Sequence, residues 1–522
     1  MTGRQRVAVV TGGGGGIGAA IAESISRTGA FVVTVDPLVS VDGSEQLPRP
    51  EKDTETTAGR IVSAGGAARA SGVSVTDESG LRQLFGELAD EFGGLDAVVN
   101  VAGISRPTGF ATGSDDDWFG VLSVHLDGYR NVLRAALPLM AAAGRGHILG
   151  VTSGSGWRSA DAGAYGCAKR AVAALTWQLG RHAPDGVVVN AISPIAATRM
   201  VAAALGRTQS TGGLSLSSMP QPEHLGPLGA HLVSDEFAAC RGQVIFTAGS
   251  EVAVIDEPRL IEAVRNDTRL LEAATTVALA PAEANQASGG GSNARFGAVF
   301  DEPDDGDPST TATRSCAVVA DHPEVAEAVS GALKAWGVAC RVIDDPASLA
   351  DVDALDAVIV ARAGTPGATG ATTGWERVLD EHDGLVGQIQ ADARWSRAVA
   401  DVATAAGRPI RLVTLTDATT AGGRSRAQAS AQLARAGRTA TGELVLPFAV
   451  SVEAGGADDA AELGAHLACS RAAAGLAGAE LVSGAGWFGL RSHPRPISAI
   501  SFGGPAVPPW FDDTLREAVQ PR

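Results

Sequence analysis

The chain has 522 residues, 45% apolar and 19% charged, with a formal net charge of −17. That length exceeds one ordinary domain and sets an expectation of about two to three, each able to bury its own core. An acidic balance without a basic cluster argues against nucleic-acid binding. Five scattered cysteines without C-x-x-C, and nine histidines without ligand spacing, argue against a disulfide framework and a metal site.

In chain order, Val7–Val10 is a short apolar strand, followed by glycines and a helix from about Ile17 to Thr28. Phe31–Val35 is the next strand and ends at Asp36. The proline- and charge-rich stretch Ser40–Thr57 is expected as a surface insertion. Leu95–Val101, His147–Thr152 and Gly186–Ile192 are further buried strands. Such alternation predicts an α/β architecture with a parallel sheet between helical layers. Val201–Pro222, rich in Gly, Ser and Thr, is expected as a lid ordered by ligand. Residues from about 280 to 314 turn Gly/Ser-rich and then acidic, as linkers do. Strand and helix signals resume at Cys316–Ala320.

The second half repeats the first. Asp96-Ala-Val-Val-Asn-Val-Ala-Gly103 returns as Asp356-Ala-Val-Ile-Val-Ala-Arg-Ala-Gly364, and Trp118-x-x-Val-Leu-x-x-His125 as Trp375-x-x-Val-Leu-x-x-His382. Ala248-Gly249 with Pro258-Arg259 returns as Ala485-Gly486 with Pro494-Arg495. The three matches keep their order, which indicates a tandem duplication.

Two stretches carry chemistry. In Thr11-Gly-Gly-Gly-Gly-Gly-Ile-Gly18, between a strand and a helix, glycines let the backbone approach a pyrophosphate at the helix N-terminus. Asp36 closes the next strand, where a carboxylate suits two ribose hydroxyls and repels a 2′-phosphate, favouring NAD over NADP. The chain has only two tyrosines and three lysines, and one of each forms Tyr165-Gly-Cys-Ala-Lys169. That spacing arises by chance about 1% of the time. Four residues is one helical turn, so phenol and ammonium share a face, and the cation is expected to lower the phenol's pKa.

With these motifs in view, the first roughly 265 residues resemble the short-chain dehydrogenase/reductase family. Its T-G-x-x-x-G-I-G is present as Thr11, Gly12, Gly16, Ile17 and Gly18, its N-N-A-G as Asn100-Val-Ala-Gly103, and its serine ahead of Y-x-x-x-K as Ser153. Finer features are similar to the 3-hydroxyacyl-CoA dehydrogenase region of peroxisomal multifunctional enzyme type 2. These are the insertion after the second strand, Val124-His-Leu-Asp-Gly128, and Pro194-Ile-Ala-Ala-Thr-Arg-Met200. The resemblance implies that Tyr165 exchanges the proton, Lys169 tunes it and binds the nicotinamide ribose, and Ser153 holds the substrate oxygen. It puts His125 at the family's asparagine position, where either its backbone carbonyl serves a water or the ring only packs. It places Val75, Asn100, Ala102, Gly103, Pro194 and Thr198 along the cofactor. Two departures touch cofactor affinity: Val73-Ser74-Val75 replaces the usual adenine-holding aspartate, and Ile195 replaces the usual glycine.

The second half has Asp-His-Pro after its first strand where the glycine loop would be, and no tyrosine. Arg424–Ala431 aligns with the active-site helix and brings alanines near 427 and 431. The expected fold is therefore two tandem Rossmann-like, doubly wound parallel-sheet domains, the second degenerate. Residues 1–279 would be catalytic, 280–314 a linker, and 315–522 a copy without cofactor motif that supplies a pairing surface. The expected activity is NAD-dependent interconversion of a secondary alcohol and a ketone. The substrate would be a 3-hydroxyacyl-CoA with a bulky or steroid-like acyl group, or a steroid or cyclic alcohol without CoA. A non-catalytic NAD- or acyl-binding scaffold is the alternative. Arg106, Arg158 and Arg199 are candidate cations for a CoA phosphate. Absence of a leader or membrane-length apolar run suggests a cytoplasmic chain, and a homodimer of tandem chains is expected.

Overall fold

The computed structural model describes residues 4–158, 160–207, 216–274, 311–362, 364, 367 and 370–520. The 280–314 linker expected from sequence lies outside these residues but for its last four. So does the centre of the expected lid, residues 208–215.

The first half runs β1 (Val7–Thr11), α1 (Gly16–Ser26), β2 (Phe31–Val35), α2 (Thr57–Ser63), β3 (Ala67–Ser71), α3 (Glu78–Phe92) and β4 (Ala97–Asn100). It continues through α4 (Asp115–Leu122), α5 (Gly128–Ala143), β5 (Gly146–Val151), α6 (Gly163–His182), β6 (Val187–Pro194), α7 (Arg199–Arg207), α8 (Gly226–His231), β7 (Val244–Ala248), β8 (Glu251–Asp256) and β9 (Leu260–Arg265). In the second half come β10 (Ser315–Ala320), α9 (Pro323–Ala335), β11 (Ala339–Val342), β12 (Ala357–Arg362), α10 (Gly374–Asp380), α11 (Leu385–Ala406), β13 (Ile410–Asp417) and α12 (Ala421–Ala440). It closes with β14 (Val445–Val452), α13 (Ala457–Cys469), β15 (Glu480–Gly484), β16 (Trp487–Arg491), β17 (Arg495–Ser501) and α14 (Phe511–Val519).

Two sheets result. The first has order β17-β8-β7-β6-β5-β4-β1-β2-β3 and the second β11-β10-β12-β13-β14-β15-β16-β9. In each, the strands up to β7 and β15 are parallel, while the last two positions are antiparallel. Central parallel strands need apolar residues on both faces, and Val7–Val10 are fully buried accordingly. The duplicated segments occupy equivalent places: α4 opens with a Ser114–Asp117 capping box and α10 with a Thr373–Glu376 one.

The terminal strands are exchanged. β9 of the first half pairs with β16, and β17 of the second half pairs with β8. The repeated Pro-Arg segments lead into these two strands. The halves also meet along α6 and α12. There Cys167 Sγ approaches Ala429 O at 3.6 Å, and Gln178 Nε2 donates to Ala421 O at 3.2 Å. At their centre Arg170, fully buried, donates to Gln428 Oε1 at 2.9 Å, pairs with Glu480 and meets His493 Nδ1 at 3.1 Å.

Candidate functional site

A cavity of about 870 Å³ opens along the C-terminal ends of β1, β2, β4, β5 and β6. In open α/β sheets that end of the strands is where ligands bind. Its floor is the turn from β1 into α1. Gly12 has φ +64°, and a side chain there would stand 2.8 Å from Ala102 N; one at Gly18 would stand 2.2 Å from Gly12 O. Both positions require glycine, so the turn stays tight and its N–H groups stay open to a ligand. Thr11 Oγ1 donates to Asn100 Oδ1 at 2.7 Å and accepts from Ala102 N at 3.3 Å, locking this turn to the end of β4.

Asp36, on the cavity wall, accepts from Gly14 N at 3.0 Å through Oδ2 and from Leu38 N at 2.8 Å through Oδ1. The insertion is more than a surface loop. Ser105 N donates to Val41 O, and Arg106 Nε to Asp42 O, both at 2.8 Å, so residues 39–43 become a cavity wall. Val75, Ala102, Gly103, Pro194 and Thr198 line the same space, as do Gly16 and Ile17. Thr198 and Arg199 cross above the glycine turn at Gly16 and Gly15.

Ser153, Tyr165 and Lys169 face the cavity together. Ser153 hydrogen-bonds the Tyr165 phenol. Lys169, 3% exposed, donates to Val151 O at 2.6 Å, and its Nζ stands 5.6 Å from the Tyr165 ring centre. Burial pushes Lys169 down to about 7. Burial of the phenol pushes Tyr165 up, and two influences oppose that rise: the Ser153 hydrogen bond, then the Arg158 guanidinium. Lys169 thus shares the cavity face with Tyr165, with its ammonium turned to the Val151 carbonyl.

His125 sits in a π-helical turn, Ser123–Asp127, between α4 and α5. Its Nε2 lies 2.7 Å from Ile104 O, and its ring meets Tyr165 edge-on at 5.0 Å. Gly103 must lack a side chain, because a Cβ there would be 2.3 Å from His125 Cε1. Burial, and secondarily Lys169, push His125 well below its usual value, so its ring is neutral. Of the three arginines singled out by sequence, Arg106 is engaged by Asp42 O and Asp116 O, Arg199 overhangs Gly15, and Arg158 folds over Gly154. Sequence reasoning missed that placement of Arg158; its one signal is the offset of five residues from Ser153 within the same strand-end loop. Among the described residues no cluster of His, Cys, Asp or Glu could hold a metal, and no helix is long and apolar enough to cross a membrane.

A family described as short chain dehydrogenase matches residues 6–208. The chain is 34% identical over 250 residues to the short-chain reductase protein NovJ of Streptomyces niveus, spanning 48% of this chain and 88% of that protein. It is 31% identical over 271 residues to the hydroxyacyl-CoA dehydrogenase ChsB1 of Mycobacterium tuberculosis, spanning 49% and 81%. Over 89% of this chain and 95% of that one, its fold follows the NADP-bound N-domain of a bacterial malonyl-CoA reductase, with a TM-score of 0.62 at 18% identity. The tandem architecture is thus shared at the level of fold, and by its relatives and its glycine turn this oxidoreductase chain belongs to the short-chain dehydrogenase/reductase family.

Proposed function

We propose that the first half catalyses NAD-dependent interconversion of a secondary alcohol and a ketone, with a 3-hydroxyacyl-CoA as substrate class. The observation that carries this reading is the convergence of Ser153, Tyr165 and Lys169 on one cavity whose other end is the glycine turn. Thr11, Gly12, Gly16, Ile17 and Gly18 would hold the diphosphate, with Asn100, Ala102 and Gly103 closing the turn beside it. Asp36, Val75, Pro194 and Thr198 would hold the rest of the dinucleotide. Among the described residues no cation pairs with Asp36, and a bare carboxylate favours free ribose hydroxyls over a 2′-phosphate. When bound, a nicotinamide supplies the hydride acceptor or donor. Ser153 orients the substrate oxygen, and Tyr165 Oη takes its proton on oxidation or returns it on reduction. Lys169, released from Val151 O, would bind ribose and steady the phenolate. His125, neutral and buried, would shape the wall behind Tyr165.

The similarity to ChsB1 favours an acyl-CoA substrate. The engagement of Arg106 by backbone carbonyls leaves fewer cations for a CoA phosphate, which favours the second reading, a steroid or cyclic alcohol without CoA. We assign residues 1–279 as the catalytic unit, 280–314 as connector and 315–522 as a degenerate unit without cofactor turn, and two such chains as the assembly. Initial rates of cofactor reduction with NAD and NADP, over 3-hydroxyacyl-CoAs, steroid alcohols and cyclic alcohols, test the reading. Turnover of the thioesters with NAD supports it; turnover of free cyclic alcohols alone transfers it to the second reading. Cofactor binding without any turnover leaves a scaffold.

A further inference from the structure

The chain leaves β6 at Pro194, and three residues later Ala197 N donates to Pro220 O at 2.8 Å. Thr198 caps α7, its Oγ1 accepting from Val201 N at 3.2 Å, so the opening of that helix is fixed in direction. That opening crosses the glycine turn. A Cβ at Gly16 would lie 3.8 Å from Thr198 Cγ2, and one at Gly15 would lie 3.5 Å from Arg199 Nη2. A further C–C bond of ~1.5 Å puts this guanidinium nitrogen within about 5 Å of the Gly15 backbone. A phosphate group held by hydrogen bonds of ~2.9 Å on either side fits a gap of that size. Below the guanidinium, Gly16, Ile17 and Gly18 open α1, and N–H groups in a first helical turn have no partner within the helix.

Lys169, Arg106, Arg130 and Arg199 are the cations on the cavity wall. The first three are already spent. Lys169 donates to Val151 O, Arg106 to Asp42 O and Asp116 O, and Arg130 to His382 O beside its ion pair with Asp383. Arg199 is exposed and has neither a hydrogen bond nor an ion pair among the described residues. Asp36, on the same turn, does not take it, since its carboxylate oxygens accept from Gly14 N and Leu38 N.

We infer that Arg199 is a cofactor-binding residue whose guanidinium pairs with the diphosphate of the dinucleotide, on the side away from the glycine turn. The inference rests on the assignment of that turn to a dinucleotide. It supplies a cation to an anionic ligand in a chain whose net charge of −17 would otherwise oppose it. A planar fork also reaches two phosphate oxygens at once. So assigned, Arg199 is withdrawn from the cations open to a CoA phosphate.

Cofactor affinity, read without turnover, tests it. In calorimetric titrations of the full chain, Arg199→Met should weaken NADH and ADP-ribose alike by about tenfold, the scale of one hydrogen-bonded charge. Arg199→Lys should recover part of that loss, because it keeps the charge and lacks the fork. Raising the ionic strength from about 0.01 M to about 0.15 M should weaken NADH binding to the parent more than to Arg199→Met. Free coenzyme A should bind the two equally. Parental NADH affinity in folded Arg199→Met overturns the inference, and so does an equal salt response. Loss of coenzyme A binding with NADH binding intact gives the arginine to the substrate and overturns it too. Arginine-dependent NADH binding in a chain that oxidises no alcohol would sink the reaction assigned above and uphold the pairing. A parent that binds neither NADH nor ADP-ribose overturns both.

Discussion

α6 and α12 are the same helix twice, twenty residues each, laid against one another. The third and seventh positions are Tyr165 and Lys169 in one, Gly423 and Ala427 in the other, four residues earlier than the Ala427 and Ala431 expected from sequence. The turns that open each half differ in the same sense. β1 leads into a bare glycine arc, whereas β10 leads into Asp321-His322-Pro323. What both copies keep is packing. The eighth positions, Arg170 and Gln428, meet each other and share Glu480. Even the repeated histidine has diverged: His382 bonds Ser425 Oγ at 2.8 Å and Val378 O at 2.7 Å, while His125 keeps an unpaired Nδ1 among its hydrogen bonds. The duplicate has shed groups that are costly to bury and retained those that hold the pair together.

Five experiments would break or sharpen this contrast. The largest effect is expected for Tyr165→Phe, which should lower kcat about 1000-fold while leaving NADH affinity intact. Loss of less than about tenfold would mean that the second half contributes chemistry after all. Next, Glu480→Ala leaves Arg170 buried without its carboxylate and should cost about 3 kcal/mol in urea unfolding. A stability equal to that of the parent would show that the two halves are not welded at this point. Third, Asp36→Ala should swing the NAD/NADP preference toward NADP by about 100-fold in kcat/KM. Calorimetric titration of NADH should meanwhile count a single site per chain, and two sites would give the degenerate turn a cofactor. The smallest effect is reserved for the half-buried surface pair Arg491–Glu453, where Glu453→Gln should change stability by less than about 1 kcal/mol.

Much of this was readable in the sequence because it is local. The glycine run, the apolar strands and the Tyr165–Lys169 turn each declare themselves within a few residues. Their expected boundaries lie within a residue or two of the strands and of α1. The repeat matches marked the two Pro-Arg strands as equivalent, and they are. Which sheet each strand joins was not readable, because β9 and β17 carry the same local pattern and either sheet offers the same antiparallel edge. The wall made by residues 39–43 was hidden for a similar reason. Its bonds to Ser105 and Arg106 span more than sixty residues and leave no periodicity. Spacing likewise reports which face a lysine occupies. It does not report that the Val151 carbonyl will take its ammonium.

The strand exchange also orders events in time. The first sheet lacks its ninth strand until residue 501 has been made, although β8 is complete at residue 256. At about 5–20 residues per second the nascent first half waits some tens of seconds with that edge unpaired. β9, already synthesised beside it, has its proper partner in β16, which does not yet exist. A ribosome-bound chain of this protein therefore has an open template and a spare strand that fits it. Only when β16 and β17 have emerged can both strands reach the partners they hold in the folded chain.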